Sequence, residues 1–218
     1  FGYQSLNSEI RDINNFCWKL DLALKNKCNI DILLSYKAER EPVAKETISS
    51  SLAMGQLIDS IAVSSKKNIP LEESVPPEAR SQAFKDMRMY SENTDSTKII
   101  FYESEITKSF NSSIPNFYIT FKNERVLFDK LLGLNFCIFT SGEYIFSKKI
   151  NHFLQEIEAK IYDTNIIDIE DAFMKESLKN HSFIIRPDRK IFGVSDNEVS
   201  LEQMCNDLMT KIFYIEKS

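Results

Sequence analysis

The stretch that decides the fold opens the chain and reads Phe1-Gly2-Tyr3-Gln4-Ser5-Leu6-Asn7-Ser8-Glu9-Ile10-Arg11-Asp12. From here to residue 24, apolar side chains recur every three or four positions, at Leu6, Ile10, Ile13, Cys17, Leu20 and Leu24. This spacing is typical of one face of an amphipathic helix. Ser5, Asn7 or Ser8 can cap its first turn, and we expect the helix to end between Lys25 and Cys28. The unpaired N–H groups at the start of such a helix favour an electron-rich ligand group.

Composition bounds the class of protein. The 218 residues are 43% hydrophobic and include sixteen Phe, which is enough to build a core and argues against disorder. A net charge of −5, spread along the chain, gives no nucleic-acid footprint. No apolar run reaches the roughly 18 residues of a membrane span. The four cysteines, Cys17, Cys28, Cys137 and Cys205, have neither C-x-x-C nor zinc spacing, so we expect reduced thiols in a cytoplasmic protein.

A second helix is predicted from about Ile32 to Ala62, with Asn29 or Asp31 as its cap. Because Pro42 lacks a backbone N–H, a kink or a break is expected near Glu41. The organisation then weakens. We expect loops, one helix over residues 78–92 and a short strand over residues 99–102.

From residue 116 onward, strand and helix patterns alternate. The predicted strands are Phe117–Thr120, Phe136–Thr140, Ile166–Ile169, Phe183–Ile185 and Lys190–Val194, the last two forming a hairpin about Pro187 and Asp188. The predicted helices are Tyr144–Ala159, Glu170–Leu178 and Leu201–Phe213. Such an alternation, closed by a hairpin and a helix, suggests a thioredoxin-like α/β sandwich.

Few polar residues suggest chemistry. Glu39 and Arg40 form either a solvated pair or an anchor between helices. Arg186 and Asp188 form either an anion site or a pair that fixes a turn. The two histidines lie in different elements without carboxylates or cysteines at ligand spacing. We therefore predict no metal site and no catalytic residue in this chain.

The order of residues in the two N-terminal helices carries a family resemblance. Its motifs are Phe1-Gly2-x-Gln4-x-Leu6-Asn7-Ser8-x-Ile10-Arg11-Asp12, then Asn15 and Trp18-Lys19-Leu20, and later Leu34-Ser35-Tyr36-x-x-Glu39-Arg40-x-Pro42-x-Ala44. This order resembles the FAD-dependent aromatic-ring hydroxylases, above all the branch that acts on phenols and hydroxyphenylpropionates. The resemblance implies FAD as the cofactor, NAD(P)H as the reductant and an aromatic small molecule as the substrate of the complete enzyme.

The resemblance also implies a cofactor site at the start of the first helix. In the family, this helix end faces N1 and O2 of the flavin, where negative charge gathers on reduction. The residues matched to it are Gly2, Gln4, Ser5, Leu6 and Asn7. The backbones of the last three would face the flavin, and the first two would shape the approach. Family glycines are replaced here by Tyr3, Ser5 and Glu9.

The C-terminal half carries a second resemblance to the same enzymes. Its motifs are Phe128-Asp129-x-Leu131-Leu132-Gly133-x-x-Phe136 and Ile185-Arg186-Pro187-Asp188. They are similar to the thioredoxin-like C-terminal domain of those hydroxylases, which lacks a dithiol and serves architecture or subunit contact. The resemblance therefore implies a possible homodimer and no thiol–disulfide chemistry.

The predicted fold class is α/β, in three parts. Residues 1–62 are long helices from the end of an FAD-binding domain, residues 63–114 are a connector with loops and a short helix, and residues 115–218 are a thioredoxin-like domain without C-x-x-C. With five glycines and no G-x-G-x-x-G, the chain has no dinucleotide-phosphate cradle.

Two functions remain open at this point. The chain is either the C-terminal part of an FAD- and NAD(P)H-dependent aromatic monooxygenase, or a non-catalytic remnant or interaction module built on its thioredoxin-like part. In the first case, its partner is a missing N-terminal FAD-binding portion and the fragment alone is inactive. The apolar face of the first helix would then be exposed without that partner.

Overall fold

The structure is a computed structural model that describes residues 4–67, 102, 107, 114–196 and 198–213. In chain order, the described helices are α1 Gln4–Leu24, α2 Leu34–Lys66, α3 Phe128–Leu132, α4 Lys148–Glu156, α5 Ala172–Asn180 and α6 Glu198–Phe213. The strands are β1 Tyr118–Phe121, β2 Glu124–Leu127, β3 Cys137–Thr140, β4 Lys160–Asp163, β5 Asp168–Ile169, β6 Ser182–Ile185 and β7 Ile191–Ser195. Short 3₁₀ turns cover Ile30–Leu33 and Thr164–Ile166. The predicted α/β class is confirmed.

Helix α1 ends with a left-handed residue. Asn26 has a φ of 55°, which allows the N–H of Lys27 to donate to the carbonyl of Leu22 at 2.9 Å. The N–H of Asn26 donates to the carbonyl of Ala23 at 3.1 Å. This pair of bonds is a Schellman motif with Asn at the position usually taken by Gly. The helix therefore stops at Leu24, just before the interval that the sequence predicts.

The face that α1 buries differs from its apolar stripe. Trp18 and Leu22 are buried, together with the polar Asn15 and Lys19. Five members of the stripe are exposed, namely Leu6, Ile10, Ile13, Cys17 and Leu24, while Leu20 is half-buried. In the described part of the chain, most of the apolar stripe therefore faces solvent, and α1 is buried through a different face.

Helix α2 begins where the sequence predicts and continues through its proline. The side chain of Asn29 accepts from the N–H of Asp31 and so caps the 3₁₀ turn that leads into α2. Pro42 lies inside a continuous helix of 33 residues. The expected break near Glu41 is therefore absent, and the helix runs four residues beyond Ala62.

The strands form two small sheets. In the larger sheet the order is β4-β3-β6-β7, with β3 parallel to β4 and the other two pairs antiparallel. Helix α4 is the crossover that joins the parallel strands β3 and β4. In the smaller sheet, β1 lies between β2 and β5 and is antiparallel to both.

Both faces of the larger sheet are covered. Ile138, Ile184 and Phe192 face a core shared with α1, α4 and α6, to which Trp18 and Leu208 contribute. The opposite face lies against the smaller sheet, α3 and α5, through the buried side chains Cys137, Phe139, Phe183, Ile185 and Val194. The alternation along β3 therefore reflects a sheet buried on both sides, which explains why this strand reads as a continuous apolar run.

The strongly apolar elements of this half are confirmed, whereas polar edge strands differ from the prediction. The strands β3, β6 and β7 and the helix α6 lie where the sequence places them. The parallel partner of β3 is Lys160–Asp163, an edge strand with one exposed and three half-buried residues, so its apolar pattern is weak. The predicted strand Ile166–Ile169 is reduced to β5, a two-residue strand of the smaller sheet that follows a 3₁₀ turn.

The predicted helix over residues 78–92 and most of the strand over residues 99–102 lie outside the described residues. Tyr102 is described, and its N–H donates to the carbonyl of Phe192 at 2.7 Å. None of the described helices is long and apolar enough to cross a membrane.

Candidate functional site

The first candidate site is the N-terminal end of α1. The helix begins by Gln4, and its first turn holds no acidic side chain. Leu6 and Asn7 are exposed. The partial positive charge of the helix end is therefore not neutralised by an acidic side chain within that turn.

The predicted cofactor residues are only partly covered by the structure. The backbones of Gln4, Ser5, Leu6 and Asn7 are helical, whereas Gly2 lies outside the described residues. Glu9 lies in the second turn and is exposed. These residues fit the electron-rich edge of a flavin ring, because the site offers N–H groups and a dipole. They do not fit its pyrophosphate, because no glycine-rich loop is present.

The second candidate site is a cluster of buried charged and polar side chains, here called the charge cluster. Its members are Asn15 and Lys19 on α1, Glu39 on α2, and Arg186 and Asp188 on the turn between β6 and β7. Lys19 has no exposed surface, and the other charged side chains are at most 5% exposed. Three segments that are far apart in the sequence therefore meet at one dry point.

Arg186 is the hub of the charge cluster. Its Nη1 and Nη2 donate to the two carboxylate oxygens of Glu39 at 3.0 and 2.7 Å. Its Nε and Nη2 donate to the two oxygens of Asp188 at 3.0 and 2.6 Å. A planar guanidinium that forks onto two carboxylates is the strongest ion-pair geometry available to a protein.

Lys19 and Asn15 complete the charge cluster from α1. The Nζ of Lys19 lies 2.8 Å from Oδ1 of Asn15 and 3.2 Å from Oε2 of Glu39. The Nδ2 of Asn15 donates to Glu39 and, at 3.0 Å, to Oδ2 of Asp188. With both bases protonated, two positive and two negative charges balance, which is the condition for burying them at tolerable cost.

The charge cluster shifts the ionisation of its members. Burial would raise the pKa of Glu39, but the charges of Arg186 and Lys19 outweigh it and lower this pKa to about 2. Burial lowers the pKa of Lys19 to about 8, because Glu39 only partly offsets the desolvation of the ammonium group. Burial and the charges of Arg40 and Arg11 lower the pKa of the neighbouring Lys190 to about 7.

The single tryptophan of the chain lies against this charge cluster. The Nζ of Lys19 and the Cζ of Arg186 lie 5.5 and 5.3 Å from the centroid of the Trp18 ring. Trp18 also lines a cleft of about 450 Å³ between α1 and the segments around Asn135 and Ile157. Within the described chain, no group accepts a hydrogen bond from the indole N–H of Trp18.

Comparison with known proteins identifies the relatives of this chain. Residues 2–51 match the family model described as FAD binding domain. Phenol 2-monooxygenase from Pseudomonas sp. (strain EST1001) is 30% identical over 115 residues, which cover 45% of this chain and 19% of that protein. The predicted resemblance to the FAD-dependent aromatic-ring hydroxylases is confirmed.

Solved structures agree with this family at the level of the fold. The OxyS anhydrotetracycline hydroxylase from Streptomyces rimosus matches 95% of this chain with a TM-score of 0.65 and 16% identity. The flavin-dependent monooxygenase PieE, solved with FAD and substrate, matches 97% with a TM-score of 0.63 and 13% identity. This chain covers 40% and 45% of these two structures, so it spans less than half the length of either protein.

The structure brings together residues from two hydroxylase-like motifs that are far apart in the sequence. Glu39 belongs to the motif of the second helix, and Arg186 and Asp188 to the motif of the hairpin. Of the two roles predicted for Glu39, a solvated ion pair or an anchor between helices, the structure agrees with the anchor. Glu39 contacts the hairpin as well as α1. Arg186 and Asp188 do bond each other across the turn, as the second alternative predicts.

Lys19 and Asn15 belong to the residues that carry the resemblance, but the sequence interpretation assigned neither of them a role. A signal was available, because both fall on the face of α1 that carries Trp18 and Leu22, where a lysine and an amide are unexpected. The far partners were not accessible from sequence, since Asn15 and Asp188 are 173 positions apart. Within the described residues, no group of three His, Cys, Asp or Glu side chains is placed to hold a metal.

Proposed function

We propose that this chain is the C-terminal part of an FAD- and NAD(P)H-dependent aromatic-ring monooxygenase. The match of residues 2–51 to the FAD-binding domain family is the observation that carries the proposal. The fold likeness to aromatic hydroxylases over nearly the whole chain supports it. The alternative, a non-catalytic remnant or interaction module, has no comparison in its favour.

In this proposal, the N-terminal end of α1 faces N1 and O2 of the flavin. FAD, when bound, activates dioxygen for transfer of an oxygen atom to an aromatic ring, with electrons from NAD(P)H. The backbone N–H groups of Ser5, Leu6 and Asn7 would stabilise negative charge at that edge, helped by a first turn free of acids. Gly2 and Gln4 would shape the approach, and no side chain of this chain is assigned a proton transfer.

The C-terminal unit is proposed to be thioredoxin-like. The strand order β4-β3-β6-β7, the parallel β3–β4 pair joined by α4, and the closing helix α6 support this assignment. Its cysteines Cys137 and Cys205 are free and buried, and burial raises the pKa of both thiols, that of Cys137 to about 12. The unit would therefore serve architecture or a homodimer contact rather than thiol chemistry.

The missing partner is proposed to be an FAD-binding portion like that of the longer relatives. The exposed apolar stripe of α1 supports this, because such a stripe on a helix marks an unfilled contact. The substrate would be an aromatic small molecule of the phenol class, by analogy with the Pseudomonas relative. Its ring would be bound mainly outside this chain.

Reconstitution tests the proposal. The chain is co-expressed with the FAD-binding portion of the Pseudomonas phenol 2-monooxygenase, and the visible absorption of flavin is measured after gel filtration. We expect a yellow complex whose flavin is bleached by NADH or NADPH without oxygen. The chain alone is the control and should retain little flavin, because it has no phosphate cradle. A folded but colourless complex would instead favour the interaction-module alternative.

A further inference from the structure

The charge cluster occupies a special position along α1. Asn15 is eleven residues from Gln4, so at 1.5 Å per residue the charge cluster lies about 16 Å from the start of the helix. A tilt of about 10° at the charge cluster would therefore move that helix end by roughly 3 Å. Between these points α1 is mainly exposed, and Asp12, paired with Arg40 of α2, is a half-buried contact. The position of the first three turns of α1 thus depends on the Asp12–Arg40 pair and on how α1 is held from the charge cluster onward.

The geometry points to a positioning role: we propose that Lys19, Glu39 and Arg186 orient α1 against the C-terminal sheet and thereby place the start of the helix. Lys19 on α1 forms an ion pair with Glu39 on α2, and Glu39 accepts two hydrogen bonds from Arg186 on the hairpin. Arg186 is fixed in turn by Asp188 on its own hairpin. Trp18 and Leu22 also pack the same face of α1 into the core, and the charge cluster adds a constraint that depends on charge, because removing one partner of a buried ion pair leaves the other uncompensated.

Charge balance makes this proposal specific. Glu39→Gln leaves Lys19 and Arg186 facing one carboxylate in a buried space, so Lys19 must either release its proton or move with α1 away from Arg186, and either change removes the link between α1 and the hairpin. Glu39→Gln combined with Lys19→Met leaves one cation and one anion, which balance again. A role based on packing alone predicts the opposite, since the double variant loses more native contacts than the single one.

Hydrogen exchange of backbone amides tests the proposal with the whole chain and without flavin. In Glu39→Gln, we expect the amides of residues 12–22 to exchange at least tenfold faster relative to those of β3 and β6. Glu41→Gln is the matched control, because Glu41 lies two positions away, is exposed and pairs with Lys45 at 2.8 Å on the surface. It should leave this ratio unchanged. Equal acceleration of α1 and β6 in Glu39→Gln would overturn the positioning role.

The Glu39→Gln, Lys19→Met double variant provides a second test. It also tests the proposal if the Glu39→Gln chain does not fold. The Glu39→Gln, Lys19→Met chain should recover at least half of the lost protection of α1. The fluorescence of Trp18 should shift toward the wild-type emission relative to Glu39→Gln, because α1 would again hold the ring against Arg186. A double variant that is less protected in α1 than Glu39→Gln, or that does not fold either, would refute the balance argument.

That the oriented start of α1 faces the flavin rests on the function proposed above. The orientation of α1 against the sheet does not depend on that function. If the reconstituted complex binds no flavin but the exchange pattern holds, only the function fails. If flavin binds and the exchange of α1 and β6 changes together, only the positioning role fails.

Discussion

Lys19 is a lysine without exposed surface, and its protonation should be visible in the stability of the protein. Its pKa is lowered from 10.5 to about 8 in the folded chain. Between these values the unfolded chain binds more protons than the folded one, so the free energy of unfolding should rise with pH from about 8 to 10.5. Urea unfolding at several pH values measures this slope, and Lys19→Met should reduce it. The slope from Lys190, whose pKa is lowered to about 7, should remain.

Glu39 should control the acid limb of stability. Its pKa is lowered from 4.5 to about 2, so the stabilisation from its carboxylate is complete above pH 4.5 and is lost as the pH falls toward 2. Glu39→Gln should lower the free energy of unfolding at neutral pH by about 3–5 kcal/mol, because it leaves a buried cation unpaired. Urea unfolding of Glu41→Gln, a surface change, should differ from the wild type by less than about 0.5 kcal/mol. Equal effects of the two variants would contradict the assignment.

Gly193 should tolerate no side chain. A Cβ placed there would lie 2.4 Å from Sδ of Met204 on α6 and 2.8 Å from Cβ of Tyr102. Met204 can rearrange, but the Cβ of Tyr102 moves only with its backbone, so Gly193→Ala should cost roughly 1–3 kcal/mol. Thermal unfolding of this variant checks the estimate, and an unchanged melting temperature would show that α6 is packed more loosely against β7 than described.

At the scale of elements, Pro42 is an unfavourable residue within α2. It cannot donate a backbone hydrogen bond, yet the helix continues for 24 residues beyond it. Pro42 is exposed, so Pro42→Ala should add a hydrogen bond without disturbing the core. We expect the free energy of unfolding to increase by roughly 1–3 kcal/mol. An interior proline destabilises a helix by about 3 kcal/mol, and part of this is offset because proline also restricts the unfolded chain. A decrease would mean that the proline shapes α2 for the contact with α1.

The exposed stripe of α1 should make the isolated chain associate. Ile13, 59% exposed, lies in the middle of this stripe. We expect concentration-dependent association in sedimentation velocity, reduced by Ile13→Glu. Leu134→Glu is the matched control, because Leu134 is 83% exposed but lies outside α1. Equal effects of both changes would exclude the stripe as the contact.

At the scale of the whole molecule, local patterns predict most of the regular structure. The hairpin β6–β7 and the buried strand β3 follow from apolar runs, and the cap at Asn29 follows from a local side-chain bond. The polar edge strands β2 and β4 escape prediction, because their partners rather than their own apolar pattern define them.

The two candidate sites differ in how well the sequence alone can predict them. The start of α1 can be proposed from the sequence, because a helix end is a local property, and the flavin edge as its ligand stays a prediction from the resemblance. The charge cluster could not be predicted, because Glu39 and Arg186 are 147 positions apart and only the packed fold brings them together. The apolar periodicity of α1 does not reveal the buried face either, since α1 turns its polar Asn15 and Lys19 inward and most of its apolar stripe outward.

The midpoint potential of flavin in the reconstituted complex tests the central claim most directly. Asn7→Asp adds a negative charge to the first turns of α1, and Asn14→Asp adds the same charge two turns further along. If the helix start faces N1 and O2, Asn7→Asp should lower the two-electron potential by about 10–20 mV, the equivalent of roughly 0.5–1 kcal/mol. Asn14→Asp should leave it nearly unchanged. Equal shifts in both variants, or none in Asn7→Asp, would contradict the account.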